Sequence, residues 1–235
     1  MNAAIIAAGE GSRLKSEGIE ISKPLIKVGG VPMIERLIRC AIRSKVRSIS
    51  VIINEEMADV REFCEHLPLP IPLNLLVRST PSSMHSLFAL APYLDDRPFY
   101  LMTVDTVFLE DEFDKYLAFA KSQSDSAGIL AVTSFIDDEK PLCVRMDRQH
   151  RIREFSDIKE GYEFATGGIY YFSPKVFDLI PECLSSGTVR LRNFLRSLIA
   201  HGYTLHGYPF SKIIDIDHAS DIAVAEEFLK TEIQN

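Results

Sequence analysis

The sequence predicts an α/β fold: a Rossmann-like, mostly parallel sheet with helices on both faces, plus a smaller mixed β lobe. Short apolar runs alternate with amphipathic stretches through residues 1–125, as in a parallel sheet covered by crossover helices. Residues 126–235 instead carry short strands without long helices between them. A glycine-paired turn, Gly9-Glu10-Gly11, directly follows the first apolar run, where ligands of such sheets bind.

The first half reads as four strand and helix pairs in order. Ala3–Ala8 is apolar throughout, as expected of a fully buried strand. Met33–Arg43 repeats its apolar residues at helical spacing. The remaining predicted elements are strands at 48–54, 73–78 and 99–104, and helices at 56–66, 83–93 and 111–122.

The second half predicts short strands at 128–135, 142–147, 152–155, 167–172, 202–210 and 213–217, with helices at 174–180, 188–201 and 220–232. No repeat and no low-complexity linker separates the halves. We therefore expect one domain over 1–235, with a first half 1–125 and a second half 126–235.

Composition and charge exclude several classes of protein. The formal net charge of −7 argues against a nucleic-acid partner, although residues 1–53 hold nine Lys or Arg and four Asp or Glu. No apolar run approaches the roughly 18 residues of a membrane span, and no signal peptide is evident. Four scattered cysteines form no zinc pattern and suit a reduced compartment, so a cytoplasmic location is expected.

The turn after the first strand has the features of a phosphate site. Glycines let the backbone approach phosphate oxygens, and successive N–H groups of such a turn attract anions. Arg13 and Lys23 add fixed positive charge close by. The P-loop pattern is absent, and Leu14 stands where a dinucleotide fingerprint needs its third glycine. A polyphosphate ligand is therefore the favoured hypothesis.

Three motifs carry a resemblance to a known family: Ala7-Ala8-Gly9-Glu10-Gly11-Ser12-Arg13-Leu14, then Lys23-Pro24-Leu25, then Val28-Gly29-Gly30-Val31-Pro32-Met33-Ile34. Together they closely resemble the nucleotidyltransferase superfamily, which includes sugar-1-phosphate nucleotidyltransferases and bacterial phosphocholine cytidylyltransferases. Weaker similarity continues to the end of the chain. The resemblance implies transfer of a nucleotidyl group from an NTP to a phosphorylated acceptor, with Mg²⁺ as cofactor.

The resemblance also implies residue roles. Arg13 is placed on the β- and γ-phosphates and Lys23 on the α-phosphate, both as catalytic residues. Asp105 follows a buried strand and is the first expected metal ligand; Asp217 is the second. Nucleotide contacts are expected from Ala7, Ala8, Gly9, Gly11, Ser12, Thr80, Ser82 and Ser83. The two serines, Ser82 and Ser83, fit equally well as caps of the helix that follows.

The acceptor site is expected in the second half, where Thr166-Gly167-Gly168 resembles the segment that lines the family's acceptor site. Asp215 and Lys159 complete the expected set. Sugar-specific members carry a Glu-Lys-Pro triplet where this chain has Ser156-Asp157-Ile158-Lys159. A sugar 1-phosphate is the first expected acceptor, with phosphocholine or another alcohol phosphate second.

Two further hypotheses stay open at this point. One is a non-catalytic nucleotide-sensing module, because fold does not fix function. The other is an NAD(P)-dependent oxidoreductase, in which Glu55 or Glu56 would hold a ribose. The expected partners are an NTP and a small phosphorylated metabolite, without nucleic acid or membrane, for a monomer or homodimer.

Overall fold

The computed structural model describes residues 1–233 of the 235-residue chain. Its thirteen strands are β1 Asn2–Ala7, β2 Lys27–Val28, β3 Val31–Pro32, β4 Ile49–Ile53, β5 Leu73–Val77, β6 Phe99–Thr103, β7 Thr106–Val107, β8 Gly128–Thr133, β9 Cys143–Met146, β10 Ile152–Ser156, β11 Phe164–Phe172, β12 Leu205–Phe210 and β13 Ile214–Asp215. Its α-helices are α1 Ser12–Ser16, α2 Met33–Arg43, α3 Ala58–His66, α4 Ser83–Leu90, α5 Glu110–Ser122, α6 Ile180–Ser185, α7 Leu191–Ala200 and α8 Ala219–Ile233.

Nine strands form one continuous sheet in the order β10-β9-β11-β6-β1-β4-β5, with β8 pairing β11 and β12 alongside this path. The first half supplies the parallel part, in which Ile5 of β1 lies between Val51 of β4 and Met102 of β6. The second half joins through β11, which runs antiparallel to β6. The predicted α/β class is confirmed, and the mixed strands extend the same sheet.

The alternation of side chains along β1 explains why helices cover both faces of the sheet. Ala3 and Ile5 point to one hydrophobic cluster, which includes Leu37 of α2. Ala4 and Ile6 point to the other, which includes Leu87 of α4. All six residues of β1 are buried, so the strand reads as a continuous apolar run rather than an alternating one.

A third, smaller cluster joins the two ends of the chain. Leu14 of α1 and Val28 of β2 pack with Ile214 of β13 and with Ala225 of α8. The last helix therefore lies against the segment that follows the first strand. This packing brings residues near 217 close to residues near 13.

Several predicted boundaries differ from the structure for identifiable reasons. The helix expected at 83–93 stops at Leu90 and continues as a 3₁₀ turn, Ala91–Tyr93, because Pro92 has no N–H to donate. The helix expected at 188–201 begins at Leu191, because Arg190 has a φ of 70°. The strand expected at 213–217 is only Ile214–Asp215. Helices α1 and α6 and the β2–β3 hairpin were not predicted.

No helix among residues 1–233 combines the length and the apolar character needed to cross a membrane.

Candidate functional site

A cleft opens where β1 and β6 end at the same edge of the sheet. It has a volume of about 520 Å³, and we call it the Gly9 cleft. Its lining comes from the turn after β1, the end of β6, the loop before α4, and Lys23. The lining residues are Ile6, Ala8, Gly9, Glu10, Gly11, Ser12, Arg13, Leu14, Lys23, Thr80, Ser82, Ser83, Ser86, Thr103, Val104, Asp105 and Asp217.

Lys23 is the centre of an ionic chain in this cleft. Its Nζ donates to Asp105 Oδ2 at 2.7 Å and to Asp217 Oδ1 at 2.8 Å, and the side chain is only 7% exposed. Burial lowers the pKa of Lys23, but the two carboxylates outweigh it and the net shift is upward. The same ammonium holds the pKa of Asp105 below its usual value against the opposing effect of burial. Lys23 is therefore a fixed cation.

Arg13 extends the chain from the other side. Its Nη1 donates to Asp217 Oδ2 at 2.6 Å, and its Nη2 lies 3.5 Å from Glu139 Oε2. The guanidinium is 39% exposed, so it faces the solvent of the cleft more than Lys23 does. Asp217 thus receives one cation on each carboxylate oxygen.

The turn that carries Asp217 is fixed by one neighbouring carboxylate and one distant carboxylate. Asp221 Oδ2 accepts hydrogen bonds from the backbone N–H groups of Asp217 and His218, at 2.9 and 2.7 Å. Glu17 accepts from the backbone N–H of Ala219 at 2.7 Å and lies 2.6 Å from His218 Nδ1. The start of α8 is therefore capped by Glu17, which directly follows the helix α1 that presents Arg13.

Asp215 lies behind these groups in a crowded acidic environment. Thr106 Oγ1 donates to Asp215 Oδ1 at 3.4 Å and lies 2.8 Å from Thr103 Oγ1. Burial, and then the charge of Asp105, raise the pKa of Asp215 to about 8. A third acidic side chain, that of Asp215, therefore lies close to the two carboxylates that hold Lys23.

The two glycines of the turn have different surroundings. Gly11 has a φ of 61°, and a Cβ there would lie 3.0 Å from Lys23 Cβ. A Cβ at Gly9 would meet nothing within 4 Å, and Gly9 has an ordinary φ. Glycine is therefore needed at position 11 for the turn itself to form. At Gly9 the open space next to the Cβ position is part of the cleft.

Hydroxyl groups line the opposite wall of the Gly9 cleft. Thr80 Oγ1 lies 2.6 Å from Ser86 Oγ, and Ser82 Oγ lies 2.9 Å from His85 Nδ1. No side-chain hydrogen bond caps α4 at Ser82. The alternative role of Ser82 as a helix cap therefore has no support in the geometry.

A second cleft of about 350 Å³ adjoins the first, and we call it the Arg190 cleft. Asp105 and Asp217 line both clefts, so the ionic chain stands at their boundary. The Arg190 cleft is lined by Ser83, Thr103, Asp105, Asp138, Leu142, Thr166, Gly168, Tyr170, Arg190, Leu191, Arg192, Asp215 and Asp217. A third, acidic cleft of about 310 Å³ includes Asp137, Asp138, Glu139 and Gly167.

Most of the residues singled out from the sequence line one of these clefts. Ala7 does not: it is fully buried within β1, paired with Ile53 of β4. Lys159 does not either, because it lines none of the three clefts and its Nζ donates to the Ile136 carbonyl at 2.7 Å. The place of Lys159 in the acceptor site therefore stays a prediction.

The lining residues that the sequence analysis missed include Ser86, Asp138, Arg190 and Arg192. Asp138 lies in the acidic cluster Asp137-Asp138-Glu139, which follows the strand predicted at 128–135. Its position after a strand end could have marked it as a candidate site residue. Arg190 and Arg192 fell inside a predicted helix among other arginines, where nothing in the sequence distinguishes them.

The expected metal ligands offer a partial donor set. Within residues 1–233, no three His, Cys, Asp or Glu side chains surround a common metal position. Asp105 and Asp217 nevertheless bring one oxygen each to the same point, now held by Lys23 Nζ. Mg²⁺ is commonly bound by one or two carboxylates, with substrate phosphates completing its shell.

Comparisons with known proteins show which family the chain resembles. A family model described as "MobA-like NTP transferase domain" matches residues 3–201. A bifunctional protein GlmU of Methanococcus maripaludis is 26% identical over 99% of this chain and 55% of its own. A mannose-1-phosphate guanyltransferase of Gibberella zeae is 25% identical over 77% of this chain and 51% of its own. The chain spans about half the length of these curated relatives.

Solved structures share the fold. The inositol-1-phosphate CTP transferase from T. maritima superposes with a TM-score of 0.83 at 20% identity, covering 100% of this chain and 96% of that one. A putative glucose-1-phosphate thymidylyltransferase from Bacillus anthracis gives 0.81 at 22% identity, covering 97% and 94%.

Proposed function

The chain belongs to the MobA-like NTP transferase family, and we propose that it joins the nucleotidyl group of an NTP to a phosphorylated acceptor and releases pyrophosphate. One observation supports this most strongly. The three ion pairs that link Arg13, Asp217, Lys23 and Asp105 stand at the boundary between two adjoining clefts. A triphosphate in the Gly9 cleft and an acceptor in the Arg190 cleft would meet at that boundary.

The reaction suits such a site. An oxygen of the acceptor phosphate attacks the α-phosphorus of the NTP, and the bond from that phosphorus to the bridging oxygen of the β-phosphate breaks. Every reacting group is anionic, so catalysis depends mainly on positioning and on neutralising charge. Lys23, already fixed between two carboxylates, is placed to stabilise charge at the α-phosphate, while the more exposed Arg13 binds the outer phosphates.

The carboxylates of Asp105 and Asp217 fit Mg²⁺, because both are oxygen donors and converge on one point beside a crowded acidic cluster. When bound there, the ion would neutralise charge on the phosphates. A cytoplasmic location and a monomeric or homodimeric state remain predictions.

A sugar 1-phosphate is the first candidate acceptor, in keeping with the mannose-1-phosphate named for one relative. An alcohol phosphate such as phosphocholine is second. What favours this second candidate is the segment Ser156–Lys159, which lacks the Glu-Lys-Pro triplet and directs its lysine to a backbone carbonyl.

The first experiment measures pyrophosphate release with Mg²⁺, crossing the five common NTPs with sugar 1-phosphates and phosphocholine. Release with one pair identifies the base and the acceptor together. Nucleotide binding without release for any pair would contradict the proposed transfer and favour the sensor. Binding of NAD(H) but not of NTPs would favour the oxidoreductase.

We expect Asp105→Asn and Lys23→Ala to lower turnover by about 10²-fold or more, the usual cost of removing charge stabilisation at a reacting centre. Asp96→Asn, at an exposed position outside the clefts, is the matched control and should retain full activity. Circular dichroism checks that each variant folds. A folded Asp105→Asn protein with wild-type kinetics would overturn the assignment of Asp105.

A further inference from the structure

Arg190 has a backbone conformation that an arginine seldom adopts. Its φ is 70° and its ψ is 141°, immediately before the first residue of α7. Non-glycine residues with positive φ are uncommon, and such strain costs about 1–3 kcal/mol. Glycine would relieve this strain. An arginine at this position therefore suggests that its side chain has a task that glycine cannot perform.

The cations near the Arg190 cleft differ in what they bind. Arg192 donates to Asp157 Oδ1 at 2.6 Å and to the Lys140 carbonyl at 2.8 Å. Lys23 is held by two carboxylates, and Lys159 by a carbonyl. For the Arg190 guanidinium, no ion pair or hydrogen bond is found within the part of the chain that the structure describes.

The backbone around Arg190 is tied to the nucleotide side of the site. Its N–H donates to Ser82 Oγ at 3.0 Å, and the N–H of Leu191 donates to Ser83 Oγ at 3.3 Å. Ser82 and Ser83 also line the Gly9 cleft. Arg190 is therefore held at a defined position relative to the expected nucleotide site, across 108 residues of sequence.

We propose that Arg190 binds the phosphate of the acceptor. The inference rests on the proposed function. The cleft that Arg190 lines also contains Asp105, Asp138 and Asp217, and its second arginine, Arg192, is already paired with Asp157, which leaves Arg190 to attract an anionic acceptor. A guanidinium fits a phosphate monoester because its N–H groups form paired, charge-assisted bonds to two phosphate oxygens.

The test compares Arg190→Gln, Arg190→Lys and Arg190→Gly with wild type, using the active pair found in the pyrophosphate assay. We expect Arg190→Gln and Arg190→Gly to raise the acceptor KM by roughly 10- to 100-fold, the usual effect of losing a charge-assisted hydrogen bond. The KM for the NTP should not change. Arg190→Lys keeps the positive charge but loses the paired N–H donors of the guanidinium. Its acceptor KM should therefore lie between those of wild type and Arg190→Gln.

Arg190→Gly also separates binding from a structural role. Because glycine relieves the strain at φ 70°, this variant should unfold at the wild-type temperature or above it while losing acceptor affinity. Arg148→Gln, which removes an exposed arginine outside the three clefts, should match wild type in both measurements. An unchanged acceptor KM in a folded Arg190→Gln protein would overturn the inference and leave the proposed function intact.

If no pair releases pyrophosphate, the proposed function fails, and binding alone tests Arg190. The probes are then glucose 1-phosphate and phosphocholine. Binding of each probe is measured as broadening of its ³¹P NMR signal when wild type or Arg190→Gln is added. Broadening by wild type that is lost in Arg190→Gln supports the assignment. Equal broadening by both proteins, or none by wild type, overturns it.

Discussion

Gly9 and Gly11 stand two residues apart in one turn, yet different constraints act on them. Gly11→Ala should destabilise the protein by about 1 kcal/mol or more, because alanine is strained at positive φ and its Cβ would press on Lys23. Gly9→Ala should leave stability unchanged, because its Cβ meets no protein atom. It should weaken NTP binding by about tenfold, because the methyl group enters the cleft that the phosphates need.

Urea denaturation and titration with a fluorescent nucleotide measure the two effects separately. The variants form a matched pair, since each adds the same methyl group to the same turn. If Gly9→Ala bound NTP as tightly as wild type, the triphosphate would not lie over this turn.

Lys23 combines a place in the fold with the catalytic role proposed for it. A lysine that is 7% exposed is tolerated only when it is paired, and here it has two carboxylate partners. The three residues come from the segment after α1, the end of β6 and the turn before α8. Their attraction therefore helps to hold the ends of these segments together, while placing a cation at the boundary of the two clefts.

At the level of elements, β11 connects the sheet to the site. Its residue Gly168 has a φ of 73°, and a Cβ there would collide with the hydroxyl oxygens of Thr103 and Thr106. Those hydroxyls bond to each other, and that of Thr106 also bonds to Asp215. Gly168→Ala should therefore cost about 2–4 kcal/mol of stability, from strain and overpacking together.

Gly202→Ala is the control for this change. Gly202 has a φ of 79° but open space around its Cβ position, so it should show only the conformational cost of about 1 kcal/mol. The difference between the two unfolding free energies measures the contact with Thr103 and Thr106. Equal losses would mean that these threonines move aside at no cost.

At the level of the whole molecule, both faces of one sheet are buried, and this burial extends to the cysteines. All four are free and buried. Burial raises the pKa of Cys40 to about 12 and that of Cys64 to about 11, so both thiols stay protonated at neutral pH. Reactive thiolates are therefore not expected in the folded protein.

We expect the native protein to react only slowly with a chromogenic disulfide reagent at pH 8, and to release four thiols per chain after denaturation in urea. Dithiothreitol should leave the unfolding midpoint unchanged, because no disulfide is present to reduce. Rapid reaction of any thiol in the folded state would show that the core opens locally near that cysteine.

The sequence by itself determined the fold class and the position of the glycine-paired turn after β1. Both depend on local patterns: an apolar run such as β1 must be buried on two faces, and helix α2 was predicted residue for residue from its apolar spacing. The motifs around Gly9, Arg13 and Lys23 are equally local, and the family resemblance that they carry is confirmed.

Only the tertiary structure decided which charges meet. Lys23 reaches Asp105 across 82 residues and Asp217 across 194, and Arg13 reaches Asp217 across 204. Neighbours that are distant in sequence also decide two other features. Lys159 donates to the Ile136 carbonyl, and the strained backbone of Arg190 is held by Ser82. Spacing along a chain specifies helices and turns, but the partner of a side chain is set by packing, which no local pattern records.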